Sequence, residues 1–186
     1  GQTPLEAYYL ASVLPASPAA KDALRNFLAA QKADGAIDGK PGLAGQRGRY
    51  LAAPMLASLA WRIYEAGGDD GFLKDAFPRL HEFFWSWFSP EYDEDRDGLP
   101  QWKHILQSGF EDNPLLDAWH PWSLGVDITQ VHSPALEAML YREAECLIRM
   151  AELLERNDTL PLLREQAAKL RASIESAWGA RTGLYH

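Results

Sequence analysis

The sequence predicts an all-α chain built from antiparallel helical hairpins, and three observations predict it. A capping residue stands directly before proline at Thr3-Pro4, Ser17-Pro18 and Ser133-Pro134. Such a Ser or Thr accepts a bond from an early helical N–H, and proline lacks the N–H that a helix start leaves unpaired. Apolar residues recur at helical spacing, as in Leu51, Ala52, Met55, Leu56, Leu59, Ala60, Ile63 and Tyr64, and no strand-like alternation competes. The connections, finally, alternate between very short and very long.

Taken in order, Thr3, Pro4 and Glu6 form a capping box that opens a helix near residues 4–14, and Ser17-Pro18 opens a second over 18–32. The stripe from Leu51 predicts a third over 51–66, closed by Gly67-Gly68. Phe72, Leu73, Ala76, Phe77, Leu80, Phe83, Phe84, Trp87 and Phe88 predict a fourth over 71–89, which Pro78 is expected to break or kink. Leu136, Leu140, Leu147, Ala151 and Leu154 mark a fifth over 134–155. Leu163, Ala167, Leu170, Ile174 and Trp178 mark a sixth over 160–178.

Helices one and two, three and four, and five and six are joined by a few residues, as helical hairpins require. The other two connections, 33–50 and 90–132, have 18 and 43 residues, lengths that in a compact domain mark function. Alternating up and down helices put both at one end. Three such hairpins amount to about half of an (α/α)6 barrel, so residues 1–186 are read as the N-terminal half of a barrel domain, with Thr182-Gly183-Leu184-Tyr185-His186 beginning another rim loop. A free-standing helical solenoid is the competing architecture, but no fixed repeat period is visible.

Acids outnumber bases 26 to 18, for a net charge of −8, so the basic footprint of a nucleic-acid or anionic-membrane binder is missing. Hydrophobic residues at 47% supply a core, and no apolar run approaches the roughly 18 residues of a membrane span. The single Cys146 rules out an intrachain disulfide and any multi-cysteine metal site. The chain opens at Gly1 without Met and is expected to be a piece of something longer, in a compartment left open with the cytoplasm favoured.

The 90–132 loop concentrates the chemistry. Its nine acids against Arg96 and Lys103 give −7, nearly the whole charge of the chain, and it carries Tyr92, Trp102, Phe110, Trp119 and Trp122. Carboxylates bind sugar hydroxyls and act as general acids or bases, while indole faces cover the apolar side of a pyranose. The plainer role for each Trp is to anchor a long loop. Asp93-Glu94-Asp95-Arg96-Asp97-Gly98 matches the first half of a calcium loop, but the twelfth position is His104 where a bidentate Glu is needed. A standard EF-hand is excluded, leaving calcium held by Asp93, Asp95 and Asp97 in another geometry beside the plainer reading, a rigid turn. The five His residues show no zinc spacing, Ser133 is explained as a cap, and Gly42 to Gly48 lacks the ending of a phosphate loop.

Gln107-Ser108-Gly109-Phe110-Glu111-Asp112-Asn113-Pro114-Leu115-Leu116-Asp117 resembles the Glu-Ser-Gly-Trp-Asp-Asn-Ser-Pro-x-Trp-Asp stretch of the glucosidase-I-like and mannosylglycerate-hydrolase glycosidases of family 63, relatives of the trehalases. The resemblance extends through Gly68 to Leu73, Asp95 to Trp102, Ser133-Pro134 and Thr182 to Tyr185, and so covers nearly the whole chain. It implies a catalytic (α/α)6 barrel that hydrolyses α-glycosidic bonds with inversion. The family's general-acid Asp falls on Glu111 without gaps, Asp112 stands where the family often has Asn, and Gln107 replaces a Glu. The implied substrate contacts are Trp102, Phe110, Asn113, Asp117, Trp119 and Arg49, the last in a remnant of the family's subsite segment. The family's catalytic base, a downstream Glu, has no counterpart in residues 1–186, so the expected partners are a carbohydrate substrate and the C-terminal half of the same barrel. A noncatalytic carbohydrate-binding helical domain, and a sugar epimerase or lyase using His or Tyr, are the alternatives.

Overall fold

The computed structural model describes residues 1–42, 50–109, 127–129 and 131–185. Seven helices lie among them: α1 Pro4–Val13, α2 Pro18–Ala29, α3 Leu56–Gly67, α4 Asp70–Ser86, the single turn α5 Ile105–Ser108, α6 Pro134–Leu153 and α7 Leu160–Ser176. The fold is all-α, as the caps and stripes predict.

Three of the caps form as the sequence implies. Thr3 and Glu6 bond reciprocally at the start of α1, Ser17 accepts from Ala19 N–H ahead of α2, and Ser133 accepts from Leu136 N–H ahead of α6. Asp69 caps α4 by accepting from Phe72 N–H and also meets Lys21 of α2 at 2.6 Å, tying a helix start to the neighbouring hairpin.

The structure corrects two expectations. The third helix begins at Leu56, five residues later than its stripe suggests, because Pro54 disfavours helical geometry at Ala53. Leu51 and Ala52 are nonetheless buried, as extended backbone: Leu51 bridges Asp38, and Ala52 N–H donates to Ile37 carbonyl. Pro78 lies inside α4 without ending it. A helix-interior proline costs about 3 kcal/mol, and the buried face running from Phe72 through Phe77 to Phe84 outweighs that at roughly 1.5–3 kcal/mol per large side chain. Beyond α7 the chain makes a two-stranded antiparallel ladder, β1 Trp178–Gly179 with β2 Leu184–Tyr185, in the stretch read as the beginning of another rim loop.

α1, α3 and α6 neighbour one another in that order, α2 and α4 pack behind them, and α7 lies along α6. The long connections each leave a rear helix and enter a front one, α2 to α3 and α4 by way of α5 to α6. They meet at one end of the array, where Leu51 N–H donates to the Tyr92 hydroxyl at 3.1 Å and Gln107 Nε2 donates to the Leu51 carbonyl at 3.4 Å.

Candidate active-site rim

The second long connection begins by burying aromatic rings. Trp87, Tyr92 and Trp102 pack together, with Trp102 edge-on to Trp87 at 5.5 Å between ring centroids. Trp102 is 4% exposed and donates its indole N–H to Ser133 Oγ at 3.3 Å, the hydroxyl that caps α6. Among the candidate substrate contacts it is the one within the described residues, and as placed it ties the rim loop to a helix start rather than offering a ring face. Arg49, Phe110, Glu111, Asp112, Asn113, Asp117 and Trp119 lie outside the described residues.

What the structure does place is the anchor that leads into the candidate catalytic stretch. Gln107 Oε1 accepts from Lys103 N–H at 2.7 Å and His104 N–H at 3.0 Å, and the His104 side chain accepts from Leu106 N–H, which closes a reciprocal cap around α5. Gly109 ends α5 at φ +72°, a conformation that side chains disfavour, immediately before Phe110. On the other connection Tyr50, next to Arg49, stacks on His104 at 5.2 Å. The described residues Tyr50 and His104 thus bring the two long connections side by side. A cavity of about 250 Å³ opens beside them, lined by Lys32, Asp38, Tyr50, Leu51, Glu91 and Tyr92.

The acidic motif forms a tight turn. Asp93 is buried and its Oδ2 accepts from Gly98 N–H at 3.0 Å, while Asp97 Oδ1 accepts from Leu99 N–H at 2.8 Å. Burial pushes the Asp93 carboxyl up, against the pull of the Gly98 N–H, and the charges of Asp97 and Asp95 push it further. Gln166 of α7 donates to the Gly98 carbonyl at 2.8 Å, holding the turn against that helix.

Two buried carboxylates on α6 went unnoticed in the sequence. Glu143 accepts from Ala57 N–H at 2.7 Å, Ser58 N–H at 2.8 Å and Ser58 Oγ at 2.5 Å, and so caps α3, whose own N-cap residue Met55 supplies no side-chain bond. Burial pushes its carboxyl up while those donors oppose the shift. Glu137, in the first turn of α6, is also buried. An acid in a helix's first turn is a common dipole partner, so neither its sequence position nor that of Glu143 signals burial.

Helical hairpins whose long connections meet at one end define an all-α hairpin-array type of domain. Residues 11–186 match the family model of the mannosylglycerate hydrolase MGH1-like glycoside hydrolase domain, and the chain belongs to that family. Its fold is similar to the crystal structure of an uncharacterized conserved protein from Thermus thermophilus, with a TM-score of 0.78 and 18% identity over 99% of this chain and 58% of that one. The chain therefore spans less than two thirds of the Thermus protein's length. No curated protein matches the chain.

Proposed function

We propose that residues 1–186 form the N-terminal half of a catalytic (α/α)6 barrel that hydrolyses an α-glycosidic bond, in an α-glucoside or related glycan, with inversion. Membership in a glycoside hydrolase family is the observation that carries this reading. Glu111 protonates the leaving oxygen, with Asp112 as the alternative acid. Phe110, Asn113, Asp117, Trp119 and Arg49 contact the sugar, and Trp102 steadies the loop. An inverting enzyme holds its two carboxyls about 6.5–9.5 Å apart so that a water fits beneath the anomeric carbon. The second carboxyl then comes from the other half of the barrel, and residues 1–186 alone are inactive.

The test is a comparison of leaving groups in the intact enzyme. Glu111→Gln should slow hydrolysis of a glycoside with a poor leaving group far more than that of an activated aryl glycoside, because only the former needs a proton. Product caught by NMR in the β configuration from an α-glycoside would establish inversion. If Asp112→Asn alone abolishes turnover, the acid moves one residue along. If neither substitution matters, the glycosidase reading of this loop fails, and a parent protein that binds the sugar without hydrolysing it is a noncatalytic binder.

A further inference from the structure

The front face of the array carries charge without counter-charge. Ser58, Trp61, Arg62 and Glu65 recur at helical spacing on α3, and Arg142, Glu145, Cys146 and Arg149 do so on α6, so each set lies along one side of its helix. With Tyr8 of α1 they line a cavity of about 250 Å³. Arg142 reaches across to α1: its guanidinium lies 5.0 Å from the centre of the Tyr8 ring and donates to the Tyr8 hydroxyl. Arg142 and Arg149 both act on the buried Cys146 thiol, and Glu65 accepts from the Trp61 indole N–H at 2.9 Å. The neighbouring Glu143 is already met by donors of Ala57 and Ser58. None of Arg62, Arg142, Arg149, Glu65 and Glu145 makes an ion pair among the described residues, and three guanidiniums against two carboxylates leave an excess of positive charge in the cavity.

We propose that carboxylate side chains from the other half of the barrel seat in this cavity and pair with Arg62, Arg142 and Arg149, joining the two halves. The contact presupposes the half-barrel reading, though not hydrolysis. α2 and α4 pack behind α3, so its front faces the inside of a barrel closed by further hairpins. The similar Thermus fold extends well beyond the 58% that this chain covers. Closure takes water from the cavity, and a guanidinium out of water without a counter-charge is costly. Arginine keeps its charge at neutral pH and its planar fork matches a carboxylate with two parallel bonds, so the covering surface has to bring acids. A free phosphate offers the same oxygens. On a face that the other hairpins cover, however, a side chain arrives with the contact and loses no separate freedom of motion.

The test is arginine labelling of the full-length protein with a dicarbonyl reagent, the rate at each residue being read by peptide mass spectrometry. Arg62, Arg142 and Arg149 should react about tenfold or more slowly than Arg25 and Arg164, which are exposed on α2 and α7, and should match them on unfolding. Arg62 and Arg149 make no hydrogen bond or ion pair among the described residues, so a cost of replacing them reads partners that the other half supplies. Arg62→Met with Arg149→Met should lower Tm by about 5 °C or more, because the acids left behind are then buried unpaired. Fast labelling of the three arginines in the full-length protein would overturn the proposal. So would slow labelling that depends on added phosphate, which gives the cavity to a free anion, and so would an unchanged Tm in the double variant, which leaves the arginines covered but unpaired. An active glycosidase whose three arginines label fast loses this contact alone, whereas a protein that protects them and hydrolyses nothing loses only the catalytic reading.

Discussion

Glu137 and Glu143 stand six residues apart on α6 and are equally hidden, each 2% exposed. Glu143 meets three donors on α3, whereas Glu137 leaves one oxygen with none. Burial alone therefore says little about a carboxylate's role. At Glu143 the helix end of α3 supplies the donors, which are the N–H groups that any helix start leaves unpaired. At Glu137 burial pushes the carboxyl up, and the charges within reach include both His132 and Asp97.

The largest effect expected from this contrast is at Glu143. Glu143→Ala strands two buried N–H groups and a hydroxyl, at roughly 1–3 kcal/mol each, so a loss of about 3–5 kcal/mol in urea unfolding is expected. Cys146 reports on the same interface. It is buried 3.9 Å from Ser58 Oγ, and burial and the Glu143 charge push its thiol up to about 12. Alkylation at neutral pH should be slow in the native protein and rise to the rate of a free thiol on unfolding; fast native labelling would show that the α3–α6 contact opens locally.

A smaller effect is expected where the rim loop meets α6. Trp102→Phe keeps much of the ring packing but removes the bond to Ser133, for a loss of about 1 kcal/mol. A loss several times larger would place more of the loop's stability on that one anchor.

Glu137→Gln sharpens the contrast through its sign. It should leave stability within about 1 kcal/mol of the parent or raise it, because Oε2 has no donor to lose. A loss as large as that of Glu143→Ala would mean that Glu137 is as fully paired as Glu143.

The smallest effect concerns the acid limb of stability. The Lys21 ammonium, together with Phe72 N–H, holds the Asp69 carboxyl below its ordinary range. Its folded pKa is lowered, so its contribution is complete above the ordinary value near 4 and is lost as pH falls through the folded one. Asp69→Asn should flatten the pH dependence of Tm below about pH 4; an unchanged profile would show that the α2–α4 tie carries no stability.

Much of the fold was legible because its signals are local. A cap and the N–H it serves lie two or three residues apart, as at Thr3, Ser17 and Ser133. An apolar stripe repeats within a few turns. The errors came where distant packing overrode a local rule, at Pro78, or where a local rule was overlooked, at Pro54. The resemblance around Glu111 was legible as a string of residues, while Trp102, singled out for its chemistry, proved to be an anchor bonded to a residue 31 positions away.

The sequence by itself determined the all-α class, the caps, the concentration of charge in one long connection and the family. Only the tertiary structure decided which carboxylates would be buried and which would find partners. Glu143 meets donors 85 and 86 residues distant, and Glu137 lies within reach of an acidic residue 40 positions earlier. Hydrogen bonds and charges act over a few ångströms of space, and the hairpins fold such distances in sequence into contact, where no local pattern records them.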